Sequence, residues 1–326
     1  MDIRYDYDYS DDGASPEYVQ MEDKLKKFFV YMASGKEYTH ENEDIMKWGA
    51  DFCQEIKSRG LHISDPDSNS KILQEIYCKL WDANNLKTCR KDGKIWGDTM
   101  NSANTTLNQW YKLVETEEQK KERREVKEVK QDVSIRYILS RYAKDPLGQS
   151  ALFDTVEGMK SFLSIYHTLG NFIPVPKGCN LPRGNKGVGK LRDYWDLTLK
   201  AIYDYYVCDE SSRKYKIYTI EDVVGKDKSE VYKDWLASFC VDNSKGGSWN
   251  NFVEKNYMQE FVNQNPDGNY GMPKELWKGH FTGEVLPNGI EQIEQFFVNA
   301  TCCITARSIR MIERLNFERK AEDGMK

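Results

Sequence analysis

Apolar residues recur at intervals of three and four along most of this chain, and this spacing constrains the fold more than any other feature. Near the C-terminus, Ile293, Phe297, Ala300 and Ile304 follow it without a break. An α-helix places such positions on one face, which can then be buried. The sequence therefore predicts a mainly α fold, a multi-helix globular bundle with minor short β elements. The predicted helices cover residues 19–34, 42–59, 69–82, 107–114, 133–143, 152–166, 193–206, 229–240, 248–262 and 289–320.

The few predicted β elements are short. Residues 88–100 contain Asp92-Gly93, a dipeptide that favours the two-residue turn of a β-hairpin. Residues 215–220 are predicted as a short strand, and Thr219 with Asp222 as the capping residues of a following helix. Phe172 to Pro176 contains two prolines, which lack a backbone donor and favour an extended connector over a central strand.

Composition excludes several classes of protein. Aromatic residues make up 13% of the 326 residues and charged residues 30%, which is too aromatic for a disordered chain and too polar for a membrane protein. The first residues lack the basic and apolar segments of a signal peptide. We therefore expect a cytoplasmic protein without a membrane partner.

Eight cysteines are scattered through the chain, and none forms a C-x-x-C pair. Neither a zinc site nor a redox motif is indicated, so we predict reduced thiols, no metal site and no cofactor.

The domain organisation is predicted to be simple. Residues 1–18 form an acidic, tyrosine-rich arm that packs its tyrosines on the body, and residues 19–326 form a single helical domain. Acids and bases alternate from Glu115 to Lys130, as on an exposed helix with paired charges. Residues 115–150 are the candidate for an internal boundary.

The candidate functional segment is the loop 177–192, which joins two apolar helical patterns. Gly170 ends the first helix as a predicted left-handed C-cap, and Asp193 is predicted to cap the second. The loop has five cations and no acid, although the chain has a net charge of -5. A local positive excess next to the free amides of a helix N-terminus favours an anion. A solvated structural loop is the alternative. The predicted anion-binding residues are Arg183, Lys186, Lys190 and Arg192, and the fifth cation is Lys177.

Residues 184–190 match the pattern G-x-x-x-x-G-K of phosphate-binding loops. The next residue is Leu191, so the hydroxyl that would bind magnesium is missing, and no clean buried strand precedes the loop. The pattern therefore favours a loop that binds a phosphate-containing ligand over a nucleoside triphosphatase. The sequence pI near 5.6 disfavours general nucleic-acid affinity but leaves a local nucleic-acid contact open. The sequence does not identify a protein partner.

Catalytic candidates are few. No two of the four histidines lie three or four residues apart, and no G-x-S-x-G elbow occurs. Near the loop, His167, Asp193 and Asp196 could transfer protons. For each, a structural role is the simpler interpretation: an edge of the core for His167 and helix capping for the two aspartates.

Two helical surfaces are predicted to be solvated. Asp196, Lys200 and Asp204 follow a four-residue spacing, which is typical of an exposed face with paired charges. The C-terminal part of the last helix, from Arg307 to Lys320, is predicted to carry its basic residues outside.

The segment GNFIPVP, followed by Arg183-Gly184 and by DYWDLTL at residues 193–199, resembles an uncharacterised family of bacterial hypothetical proteins. The tyrosine-rich opening YDYDYSDDGASPEY is similar to the same family. This resemblance covers about a fifth of the chain. It implies a bacterial, cytoplasmic protein and supplies no activity and no catalytic residue.

Two functions remain open from the sequence. The first is a helical binding or interaction protein with an anion-binding basic loop at 177–192. The alternative is an enzyme that acts on a nucleotide or a phosphorylated small molecule.

Overall fold

A computed structural model describes residues 4–9, 12, 66–114, 117, 156–179, 194–208, 218–241, 247–282 and 285–323. The mainly α fold is confirmed. The α-helices are α1 Pro66–Asn69, α2 Lys71–Leu80, α3 Ala83–Leu86, α4 Asn104–Val114, α5 Met159–Ile165, α6 Trp195–Val207, α7 Ile220–Val224, α8 Ser229–Ala237, α9 Gly247–Lys255 and α10 Ile290–Asp323. Short 3-10 helices cover Leu169–Asn171 and Gln259–Phe261.

Three two-stranded antiparallel sheets accompany these helices. The strands are β1 Arg90–Lys91, β2 Lys94–Ile95, β3 Gly97–Thr99, β4 Phe172–Pro174, β5 Val262–Gln264 and β6 Tyr270–Pro273. The pairs are β1 with β2, β3 with β4, and β5 with β6. Every strand is thus an edge strand, which is where proline is tolerated.

The last helix, α10, organises the core. It packs against α5 and against the 3-10 helix Leu169–Asn171. Its predicted apolar stripe is confirmed, because Ile293, Phe297, Ala300 and Ile304 are all fully buried. Arg307 continues that stripe and is also fully buried, so the prediction that it lies on the outside is wrong. Position 307 is seven residues after Ala300, and a helix returns to the same face after seven residues.

The predicted hairpin is confirmed. Asp92 and Gly93 connect β1 to β2 with φ values of 56° and 77°, as the favoured two-residue turn requires. The segment after Leu169–Asn171 is extended as predicted, and it also pairs as β4 with β3, which the sequence did not indicate. This pairing brings the start of the basic loop beside the hairpin.

Gly170 does not end a helix in a left-handed conformation, in contrast to the sequence prediction. It lies inside the 3-10 helix and its φ is not positive. A Cβ atom at this position would approach the carbonyl oxygen of Ile304 to 1.9 Å. Glycine is needed here because two backbone segments touch.

The predicted strand at 215–220 is wrong in the part that the structure describes. Ile220 begins α7, and Thr219 and Asp222 form the predicted capping box. The cap satisfies backbone donors that a helix would otherwise leave open, so the helix starts where the strand was expected to end.

Two tyrosines of the N-terminal arm pack on the body, as predicted. Tyr9 is fully buried, its backbone N–H donates to the carbonyl of His167 at 3.0 Å, and its ring lies 6.0 Å from that of Phe172. Tyr7 packs against Tyr9, whereas Tyr5 is exposed. The predicted helices at 19–34, 42–59 and 133–143 and most of the stretch 115–150 lie outside the described residues. No helix among the described residues is both long enough and apolar enough to cross a membrane.

Candidate functional site

The four predicted anion-binding residues, Arg183, Lys186, Lys190 and Arg192, lie outside the described residues, and so does Asp193. The structure does describe both ends of their loop. At its start, the Nζ of Lys177 lies 2.6 Å from a carboxylate oxygen of Asp92 and 4.5 Å from the ring centroid of Trp96. The hydrogen bond from Lys177 lowers the pKa of the Asp92 carboxyl group. One of the five loop cations is therefore already paired with a carboxylate of the protein.

Two buried asparagines hold the ends of the loop together. The Asn101 side-chain oxygen accepts a hydrogen bond from the Trp195 backbone N–H at 3.2 Å, at the start of α6. The Asn101 backbone is bonded on both sides to the Asn171 side chain, at 2.9 and 2.8 Å, just before β4. Tyr194 adds a hydroxyl contact to Thr106 on α4 at 3.1 Å. We call Asn101, Asn171, Tyr194 and Trp195 the loop junction. It fixes the points at which the basic loop leaves and rejoins the body.

Two of the amides at the start of α6 are not free, in contrast to the expectation from the sequence. Helix α6 begins at Trp195, with Tyr194 in the N-cap position. The Trp195 N–H donates to Asn101, and the Leu197 N–H donates to the Asp196 carboxylate at 2.9 Å. Asp196 also places a negative charge at the helix N-terminus, where it is stabilised by the helix dipole. The amides of Trp195 and Leu197 are therefore not free to bind an anion at the loop.

Asp196 forms a buried pair with His280, a residue that the sequence analysis did not single out. Its carboxylate oxygen Oδ2 lies 2.6 Å from His280 Nδ1 and accepts the Leu276 N–H at 2.9 Å. Both side chains are almost completely buried, at 2% and 0% exposure. A distance of 2.6 Å is that of a short hydrogen bond between the ring and the carboxyl group. The pair attaches the first turn of α6 to the segment between β6 and α10.

Aromatic rings enclose His280. The Trp277 ring stacks on it at a centroid distance of 3.5 Å, and the Tyr194 ring meets it edge-on at 5.2 Å. The second ring nitrogen, Nε2, faces the Val285 carbonyl at 3.3 Å. Both nitrogens are thus occupied by atoms of the protein. This geometry suits a structural pair, because a general base needs one nitrogen free to reach a substrate.

The stripe of Asp196, Lys200 and Asp204 is paired, as predicted, but it is not solvated. Lys200 donates to both carboxylate oxygens of Asp204 at 2.7 and 2.6 Å, and the Asp204 side chain is only 3% exposed. Asp196 also does more than the predicted helix capping. Its second carboxylate oxygen accepts the Leu276 N–H and contacts the His280 ring. Asp196, on the face that looks polar in the sequence, is covered by Leu276, which follows 80 positions later in the chain.

His167 and the cysteines show no catalytic geometry. His167 is buried beside Tyr166 and stacks on Phe172, and its carbonyl holds the N-terminal arm. Burial raises the pKa of the Cys179 thiol to about 12, so this thiol stays protonated near neutral pH. The cysteines that the structure describes are all free thiols. Among the described residues, no group of three or more histidine, cysteine or acidic side chains could hold a metal ion.

Comparisons with protein-family models, with curated proteins and with solved structures found no match to this chain.

The Asp196–His280 pair leads to a stability prediction. We expect Asp196→Ala and His280→Ala each to lower the free energy of unfolding by about 3–5 kcal/mol, because each leaves a buried polar group without its partner. The double variant should lose less than the sum, with a coupling free energy of about 1–3 kcal/mol. Urea denaturation of the four proteins gives this value.

The control is the exposed pair of Asp82 and Lys255, whose charged atoms lie 2.8 Å apart. Solvent screens this pair, so its alanine double-mutant cycle should show no coupling beyond the experimental error. If the losses of unfolding free energy at Asp196 and His280 were additive, the two side chains would not be energetically coupled.

Proposed function

We propose that the chain is a bacterial, cytoplasmic binding protein that holds a phosphate-containing ligand with its basic loop 177–192. Arg183, Lys186, Lys190 and Arg192 are the proposed ligand-binding side chains. No acid occurs within the loop, so four positive charges remain after Lys177 is paired with Asp92. Arginine forks and lysine ammonium groups are the side chains that bind phosphate oxygens.

The loop junction is the observation that carries this proposal. Asn101 bonds the Asn171 side chain before the loop and the Trp195 backbone N–H after it, so both flanks of the loop are attached to one buried residue of the core. A loop with fixed ends loses less conformational entropy when it closes on a ligand than one with free ends. The two buried asparagines thereby favour a loop that binds over one that only connects.

The contacts available to the ligand follow from the same geometry. Two first-turn amides of α6, those of Trp195 and Leu197, are occupied by Asn101 and Asp196, so these two do not add to the site. The ligand would be bound by charged side chains, and its affinity should fall as the salt concentration rises.

The alternative proposal is an enzyme that acts on a nucleotide or a phosphorylated small molecule. Its described candidates, His167 and Asp196, are both buried and engaged with other parts of the fold. Asp193 is the candidate that stays next to the loop. The binding function is therefore the better supported of the two.

A ligand screen tests the binding function. We expect pyrophosphate, nucleoside triphosphates or phosphosugars to raise the Tm of the wild-type protein, because a ligand that binds the native state stabilises it by mass action. The shift should vanish in Arg183→Ala/Lys190→Ala. Lys87→Ala/Lys226→Ala is the matched control, since it removes the same charge from two exposed positions that form no ion pair among the described residues.

The screen has two informative failures. A shift that persists in the loop variant would place the ligand elsewhere. A shift lost equally in the control variant would show that net charge, and not the loop, is responsible.

A further inference from the structure

A second candidate binding site is lined in part by the segment that His280 anchors. An open cleft of about 640 Å³ runs between α6, the β5–β6 sheet and residues 274–282. This volume is in the range that small organic ligands occupy. We call this open cleft the lysine cleft. Its charged lining residues are Lys200, Lys274, Lys278 and Glu275.

The lining charges favour an anion. Lys200 is neutralised by Asp204, and Glu275 uses both carboxylate oxygens to accept the backbone N–H groups of Gly279 and Phe281, at 3.0 and 2.7 Å. Within the described part of the chain, the Lys274 ammonium group donates to a neutral acceptor, the carbonyl of Glu260, at 3.0 Å. The exposed Lys278 forms no side-chain ion pair with any residue that the structure describes. Lys274 and Lys278 therefore line the cleft without a carboxylate partner among the described residues, and their two positive charges exceed the one negative charge of Glu275.

The rest of the lining combines three apolar residues with two polar ones. Phe281, Met272 and Pro273 lie along the cleft, and Met272 is 43% exposed. Asn263 and Thr282 provide hydrogen-bonding groups beside them. A lining that combines apolar side chains with a few placed polar groups is the usual composition of a small-molecule site.

The wall that presents the two lysines is held rigidly. Its backbone N–H groups donate to side chains of other elements: Leu276 to Asp196 at 2.9 Å and Lys278 to Gln295 at 3.0 Å. The Leu276 carbonyl accepts from the Asn299 side chain at 2.8 Å. A wall fixed in this way keeps its shape before a ligand arrives, which reduces the entropy lost on binding.

From these observations we propose that the lysine cleft binds a small organic anion whose phosphate or carboxylate group contacts Lys274 and Lys278 and whose apolar part lies on Phe281 and Met272. None of the residues that line the cleft belongs to the basic loop, and the proposal does not rest on the function proposed for that loop. The anionic group and the apolar body must belong to one molecule, because the cleft offers both surfaces side by side.

Titration with 1-naphthyl phosphate and 1-naphthoate, followed by calorimetry, tests the proposal. We expect saturable binding with a Kd of roughly 1 mM or tighter for at least one of them, as expected for a ligand of this size. Preference for the first would indicate phosphate as the anionic group, and preference for the second carboxylate. 1-Naphthol, which lacks the charge, should bind at least about tenfold more weakly.

Two variants locate the site. Lys274→Met/Lys278→Met should weaken binding of the charged probe at least about tenfold. Lys278→Glu alone should do the same, and it changes an exposed side chain, so folding is retained. Arg183→Ala/Lys190→Ala should leave the Kd unchanged.

Three results would overturn the lysine cleft as a site: no binding of either charged probe to the wild-type protein, equal binding to Lys278→Glu, or loss of binding in the loop variant alone. The last result would support the basic loop and not the cleft. The two proposals therefore fail in different experiments.

Discussion

Replacing Arg307 with methionine is expected to lower the free energy of unfolding by about 3–5 kcal/mol. Arg307 is fully buried, and no ion pair joins it to a carboxylate among the described residues. Its guanidinium donates to the carbonyl oxygens of Gly170, Phe172 and Asn256, at 2.9, 2.8 and 3.0 Å. Methionine fills much of the space but leaves three buried carbonyls without a donor. Urea denaturation followed by far-ultraviolet circular dichroism measures the loss.

The role of Arg307 follows from the β3–β4 pair. The carbonyl of Asn171 points toward β3 and accepts the Met100 N–H at 2.8 Å, whereas those of Gly170 and Phe172 point away from it, toward Arg307. The guanidinium therefore occupies the position at which a third strand would hydrogen-bond to β4. Burial lowers the pKa of Arg307 to about 9, so the side chain is still charged near neutral pH.

Arg310→Met is the matched control for this prediction. Arg310 lies on the same helix, but its side chain is 42% exposed and pairs with Glu260 at 2.8 Å. A partly exposed ion pair contributes little, so the loss should stay below about 1 kcal/mol. Equal effects of the two variants would contradict the role given to Arg307.

Gly170→Ala is expected to destabilise the protein by about 3 kcal/mol or more, because the added methyl group has no room. Its Cβ would lie 1.9 Å from the carbonyl oxygen of Ile304 and 2.8 Å from the backbone nitrogen of Ser308. The Gly170 N–H also donates to the Ser308 hydroxyl oxygen at 2.7 Å, so moving the backbone apart breaks this bond. Thermal unfolding should show a large fall in Tm.

Gly289→Ala provides the comparison. A Cβ at Gly289 meets no atom within 4 Å, and the residue lies just before α10. The change should cost about 1 kcal/mol at most, as for a poorer residue at a helix start. A small effect at Gly170 would mean that α10 can move away from the 3-10 helix at little cost.

Local features of the fold were predictable from the sequence. The Asp92-Gly93 turn, the Thr219–Asp222 capping box and the apolar stripe of α10 depend on neighbouring residues, and all three are present. Their physical basis is short-range: φ preferences, helix capping and helical periodicity.

The features that the sequence did not reveal depend on residues far apart in the chain. Asp196 and His280 are separated by 84 positions, and β3 pairs with a strand more than 70 residues later. A charged residue on a helix is usually exposed, so Asp196 and Arg307 were assigned to the surface. Only the apolar period of α10, which includes position 307, could have placed Arg307 inside.

The measurement that tests the proposed function most directly is the response of backbone amides to pyrophosphate, followed by NMR in the full-length protein. We expect saturable chemical-shift changes at Arg183, Lys186, Lys190 and Arg192 and smaller changes at the loop junction. All of these changes should be lost in Arg183→Ala/Lys190→Ala. Saturation that leaves residues 180–193 unchanged, or that affects them equally in the variant, would contradict the proposed function.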